Sequence, residues 1–373
     1  MDLNFSIYAI SLTLDIPPSH IFSTFLIGTL TYCAILVFNM TIILTIVFNK
    51  KLHKPMYILL FNMPVNDIMG STAFFPQLVS SILSQNRSIT YSACFVQALL
   101  THFYGAGSFL ILTAMAYDRY IAICCPLKYN TLMTPIKLLK IITITWTIDF
   151  TMVGLLLALS YRKEICSTKI VDMFCNNPSL MKLICDDTRL NNYYGLFTIA
   201  FVNGISLLIV IFTYVQILMT VVIKRQSDAK SKAIQTCGTH LIVFLFLEFC
   251  ATFGLLAHRF EAASSNLRRA TGASVMIFPP IVNPLVYGLK TKEIRQRNTI
   301  FLFVITKYTK LLNHQNATQV SRVLCCLIAA ASDILHKAHM ELVALSMHKA
   351  ASGAWYSFSY LRGQCGFMVI EGW

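Results

Sequence analysis

Residues 21–48 read IFSTFLIGTLTYCAILVFNMTIILTIVF, without one charged side chain. A bilayer core about 30 Å thick needs about 20 apolar residues at a rise of about 1.5 Å each, so this run is long enough to cross as a helix. Six more runs follow. Pro55–Leu83 contains only Asp67, Ile141–Leu159 only Asp149, and Thr239–Ala257 only Glu248. Cys94–Tyr117, Tyr193–Ile223 and Ala270–Leu289 carry no charge. Lipid offers no partner to an open backbone, so spans of this kind are helices. The expected fold is an all-α membrane protein, a bundle of seven transmembrane helices. Composition agrees: hydrophobic residues make up 56% and charged residues 12% of 373, where soluble domains carry about 25% charge. That excludes a disordered chain, a nucleic-acid tail protein and most soluble enzymes.

The net charge of +14 has a pattern. Lys50, Lys51 and Lys54 follow the first run; Lys128, Lys137 and Lys140 the third; Lys224, Arg225, Lys230 and Lys232 the fifth; Lys290, Lys292, Arg295 and Arg297 the seventh. The alternate loops mix both signs. Basic loops stay cytoplasmic, so the expected topology has the amino terminus outside and the carboxyl terminus inside. The excess marks those loops rather than a nucleic-acid face, and no nucleic-acid partner is expected. The first 20 residues lack the basic start and cleavage site of a signal peptide, so the first span is expected to direct insertion into the lipid bilayer. The sequons at Asn4 and Asn86 fall outside and are candidate glycosylation acceptors; those at Asn39 and Asn316 fall in the membrane and the cytoplasm.

Several motifs sit at fixed places on these spans. Met115-Ala116-Tyr117-Asp118-Arg119-Tyr120-Ile121-Ala122-Ile123-Cys124 closes the third. Pro55-Met56-Tyr57 opens the second, and Trp146 lies in the fourth. Lys232-Ala233-Ile234-Gln235-Thr236-Cys237 precedes Thr239-His240-Leu241 at the sixth, and Asn283-Pro284-Leu285-Val286-Tyr287 ends the seventh. As a set they resemble a rhodopsin-like G-protein-coupled receptor, specifically an odorant (olfactory) receptor, over about residues 20–297.

The resemblance implies a small-molecule odorant as ligand, a heterotrimeric G protein of the olfactory stimulatory type as partner, a multi-pass place in the plasma membrane, no cofactor and no metal. It implies that Asp118 holds Arg119 in the resting state, with Tyr120, Tyr214 and His240 near the coupling surface. It also implies that Asp67 joins Asn39 and Asn283 in a polar network, with Pro284 letting Asn283 and Tyr287 turn inward. A mid-span Asp costs on the order of 3 kcal/mol on insertion scales, so Asp67 needs such company in any case. Connectivity cannot be read from cysteine spacing; the pairs Cys94–Cys175 and Cys166–Cys185 come from the resemblance. No catalytic spacing such as GxSxG, a phosphate loop or HExxH occurs, so an enzyme is not expected.

Family receptors bind ligands in the outer third of the bundle. By helical spacing the candidates are Thr101, His102, Gly105 and Ala106 on the third span and Thr198 and Val202 on the fifth. The sixth offers Glu248, Ala251, Thr252 and Leu255, and the seventh Ala273 and Met276. Glu248 replaces the family's usual Tyr, and is a candidate, with His102, for a cationic or strongly donating ligand group. Ser108 stands where the family usually has Glu. Pro64 is expected to interrupt the second span, costing a hydrogen bond unless a neighbour compensates, and Asp149 adds an acid to the fourth. The alternatives are a receptor of the same class for a small amine or peptide, and a non-functional copy. The chain divides into an extracellular segment 1–20, a receptor domain 21–297 that ends in a short cytoplasmic helix, and a tail 298–373 outside the family pattern, disordered or an artefactual extension.

Overall fold

The computed structural model describes residues 9–12, 17–161, 163–170, 172–223, 227–259 and 265–290. Among them are seven long helices: α1 (Ile21–Phe48), α2 (Pro55–Ser84), α3 (Tyr91–Cys124), α4 (Pro135–Ala158), α5 (Arg189–Ile223), α6 (Ser227–Arg259) and α7 (Ser265–Lys290). Six of the apolar runs lie inside one of them, and the fourth, Ile141–Leu159, passes the end of α4 by one residue. Most helices overrun the run, because backbone hydrogen bonding continues into polar sequence beyond the lipid. Asn4, the segment 291–297 and the tail 298–373 lie outside the described residues.

Among the described residues, five helices are long and apolar enough to cross a membrane by length and composition alone: α1, α3, α4, α5 and α7. The short apolar stretch of α6 is His240–Gly254. Polar residues dilute α2, and it turns them inward: Asn66, Asp67 and Ser71 are all 0% exposed. Pro64 does not interrupt this helix, contrary to expectation. α2 runs through both Pro64 and Pro76, and Pro64 is buried, where neighbouring helices can meet the backbone group a proline frees.

Ends are set by local chemistry. Thr134 accepts from Lys137 N–H at 3.3 Å and Pro135 occupies the first helical position, where a missing N–H costs nothing. α2 stops at Gln85, whose φ of 54° lies in the left-handed region. The outward faces of α4, α5 and α6 expose Ile144, Phe150, Leu208, Phe212, Leu218, Ile242 and Phe249, a belt that suits lipid. Inside, Met63, Leu112, Phe244 and Leu247 belong to one large apolar cluster.

A small sheet closes one end of the bundle. Strand β1 (Ala9–Leu12) lies between β2 (Ser88–Thr90) and β3 (Lys169–Ile170). It pairs antiparallel with β2, Ile10 opposite Ile89, and parallel with β3, Leu12 opposite Ile170. Alternation along β1 puts Ile10 and Leu12 inward, where they pack in a cluster with Val153, Leu157 and Leu180. Nothing in the sequence had marked this strand, since four residues are too few to show a period.

Candidate functional site

At the sheet-bearing end the helices enclose a cavity of about 520 Å³, a size typical of small-molecule sites. It exists because small residues face it. Gly105, Ala106, Gly195, Ala251, Gly254 and Gly272 all line it, and a Cβ added to Gly105 would meet nothing within 4 Å. Phe109, Val202 and Met276 supply apolar wall, and Thr101, His102 and Thr198 supply polar groups.

Eight of the twelve residues expected from helical spacing line this space: Thr101, His102, Gly105, Ala106, Thr198, Val202, Ala251 and Met276. Ala273 is buried one turn away, in a cluster with Phe74 and Tyr104. Thr252 is exposed on the outer face of α6, because it follows Ala251 by about 100° around the helix. The side chain of Leu255 lies outside the described residues. Glu248 is half-buried and its Oε2 has no partner, but it is not in the cavity wall. A pairing of Glu248 with His102 around a cationic ligand has no support in this geometry.

The Cys94–Cys175 pair implied by the resemblance would pin the loop over the mouth, but the residues that form the roof were not among the candidates. Phe174, Asn176, Asn177 and Pro178 come from the loop between α4 and α5. The disulfide Cys94–Cys175 fastens that loop to α3, with the Cα atoms 5.3 Å apart, and Cys166–Cys185 closes the loop on itself. Gln97 Oε1 accepts from Cys175 N–H at 2.8 Å, and His102 Nε2 accepts from Asn177 N–H at 3.0 Å. The usable sequence signal was the loop cysteine: its neighbours follow it to the mouth. At the rim, the Arg189 side chain holds the Asp187 carboxyl below the usual range, across contacts of 2.7–2.8 Å. Asn86 is exposed in the turn after α2.

Deeper in the bundle, Asn283 Nδ2 donates to both oxygens of the buried Asp67 at 3.1 Å. Asn39 does not join them by a direct bond; it donates to Pro280 O at 2.9 Å. α7 carries Pro279, Pro280 and Pro284, and Asn283 and Tyr287 are both buried. Asn66 donates to Ser108 Oγ and Tyr104 O, both at 2.9 Å, so Ser108 serves here as a helix-to-helix link. Asp149 is 0% exposed and neither carboxylate oxygen has a hydrogen-bond partner among the described residues. Its Oδ2 and Asn66 Oδ1 crowd Gly107 to 3.0 and 2.8 Å from where a Cβ would stand.

At the far end of α3, Arg119 donates to Asp118 Oδ2 at 2.6 Å, and Tyr129 Oη donates to Asp118 Oδ1 at 2.7 Å. Burial, reinforced by that carboxylate, pushes the Tyr129 phenol up, so it remains a donor. Tyr214 of α5 bridges to α6, 2.9 Å from His240 Nδ1 and 2.8 Å from Cys237 O. Tyr120 packs its ring 6.1 Å from Phe212. Asp118 is thus shared by one cation and one phenol, while Tyr214 ties α5 to α6 beside it.

A model of the olfactory receptor family matches residues 28–307. Olfactory receptor 7G2 of Homo sapiens is 35% identical over 269 residues, 71% of this chain and 82% of that protein. The chain belongs to the olfactory receptor family. Olfactory receptor 51D1 of Homo sapiens is 37% identical over 265 residues (69% and 80% of the two chains), and olfactory receptor 1 of Rattus norvegicus 31% over 290 (76% and 90%). The crystal structure of squid rhodopsin superposes with a TM-score of 0.62 at 15% identity, covering 83% of this chain and 94% of that one. That likeness concerns the fold, a rhodopsin-like bundle of seven helices. As an olfactory receptor the chain is a multi-pass membrane protein of the G-protein-coupled class, not an enzyme.

Proposed function

We propose that this olfactory receptor binds a small odorant in the cavity between α3, α5, α6, α7 and the disulfide-fastened loop, and that binding activates a heterotrimeric G protein of the olfactory stimulatory type. The observation that carries the reading is the pairing of that cavity at one end of α3 with the Asp118–Arg119 pair at the other. An agonist that binds more tightly when α6 swings outward shifts the population toward that arrangement. Tyr214 then exchanges its α6 partners for Arg119, and the crevice so opened takes the G protein. Asn283, Pro284 and Tyr287 form the hinge region of α7, held to α2 through Asp67, and His240 and Tyr120 border the crevice. The cavity faces the outside of the plasma membrane and the basic loops face the cytoplasm. Residues 1–20 lie outside the cell, 21–297 form the receptor domain, and 298–373 are dispensable; Asn4 in the first segment and Asn86 in the turn after α2 are the glycan acceptors.

Two results test this. Arg119→Ala is expected to abolish agonist-driven cyclic AMP while surface labelling stays near the parent level; a full response from the variant sinks the coupling role. Gly105→Leu is expected to fill part of the cavity and raise the agonist concentration for half response by tenfold or more. Unchanged potency would place the ligand elsewhere.

A further inference from the structure

The two ring nitrogens of His102 are not equivalent. Asn177 N–H donates to Nε2 at 3.0 Å. A nitrogen that accepts an amide hydrogen keeps its lone pair free, so this imidazole is neutral and carries its hydrogen on Nδ1. No group among the described residues accepts from Nδ1, yet it is not among the enclosed polar atoms without a partner; His102 borders the cavity, which is the open space beside it. The loop amide therefore sets a ring N–H toward the ligand.

The rest of the wall has one sign. Among the described residues no Asp or Glu lines it, whereas Lys182 and Arg189 do. Arg189 is tied to Asp187, and Lys182 is in no ion pair among the described residues. An ammonium entering this space would be desolvated without a counter-charge. A carbonyl oxygen would find a donor, and an aliphatic chain would find Phe109, Val202 and Met276.

Resting on the reading of this cavity as the agonist site, we propose that its ligands carry a carbonyl oxygen on an aliphatic chain, as a neutral carbonyl or a carboxylate, and that the His102 Nδ1–H selects them over amines. The test uses the full chain in cells, cyclic AMP as readout and an eight-carbon set of 2-octanone, octanoate, octylamine and 1-octene. The oxygenated compounds should activate at least tenfold more potently than octylamine. 2-Octanone strongest marks a neutral carbonyl and octanoate strongest a carboxylate, and either supports the proposal. His102→Phe should lower the 2-octanone to 1-octene potency ratio about tenfold, the worth of one hydrogen bond. His102→Gln, whose amide can accept from Asn177 and donate to the ligand, should restore it. A merely structural loss would move both compounds together and leave the ratio intact, which would overturn the role of His102. Activation by octylamine alone overturns the ligand class and leaves the receptor reading standing. Silence toward a broad panel of both classes, with receptor at the surface, overturns both.

Discussion

Gly70→Ala is expected to strip folded receptor from the cell surface, by well over half in a quantitative labelling assay. A Cβ on Gly70 would overlap Tyr104 Cγ and come within 2.6 Å of its Cδ2 and 2.7 Å of its Cβ. Tyr104 cannot retreat. Its side chain is 0% exposed, it packs with Phe74, Phe75 and Ile35, and its Oη donates to Val275 O of α7 at 3.1 Å. Overpacking of this kind costs about 1–3 kcal/mol, and the lost hydrogen bond adds about 1 kcal/mol. Near-normal surface amount with normal thermal stability in detergent would show that α2 and α3 can part more easily than this packing implies. Gly28→Ala is the matched control, since its added Cβ would stand an ordinary 3.5 Å from Val79 Cγ2.

Cys94→Ser should have the second large effect. The Cys94–Cys175 bridge closes a separation of 81 residues, and removing a native disulfide typically costs about 2–5 kcal/mol. Here the loss is local as well as global. Asn177, which aims His102, and Phe174, which lines the cavity, flank the freed cysteine. The expected result is loss of agonist response, with a melting temperature several degrees lower for whatever receptor matures. The double variant Cys94→Ser, Cys175→Ser should match the single one, because both remove the same bond. A single variant that responds like the parent would mean the loop is held by its hydrogen bonds alone.

How much of this was readable beforehand follows from the kind of information each feature needs. The spans were legible because apolar length with at most one charge is a property of consecutive residues, and each run matches its helix to within a residue at the end where the helix is shorter. Positions such as Gly105 and Val202 followed from helical spacing once the inward face was known. Thr252 failed on that rule, since one residue of rotation separates the cavity from the lipid. Glu248 drew attention as a costly residue, but its price says nothing about its direction. The Asp67–Asn283 bond joins residues 216 apart, beyond any local pattern, and was accessible only through the resemblance. Asn177 was missed because the Cys94–Cys175 pair implied by the resemblance fixes the place of the cysteine, not which of its neighbours meets His102. Pro64 left two outcomes open in the sequence, because whether a neighbour compensates for the freed group depends on packing that no local pattern shows.

The three-stranded sheet has a consequence for biosynthesis. Residues 9–12 leave the ribosome early, yet one of their partners, 88–90, follows only after two spans, and the other, 169–170, only after four. Until then the leading strand waits in the lumen with its amides bare and Ile10 and Leu12 unsheltered. Completion of that ribbon is thus a late event, a latch that can shut only when the first four rods are threaded and the oxidised loop has arrived.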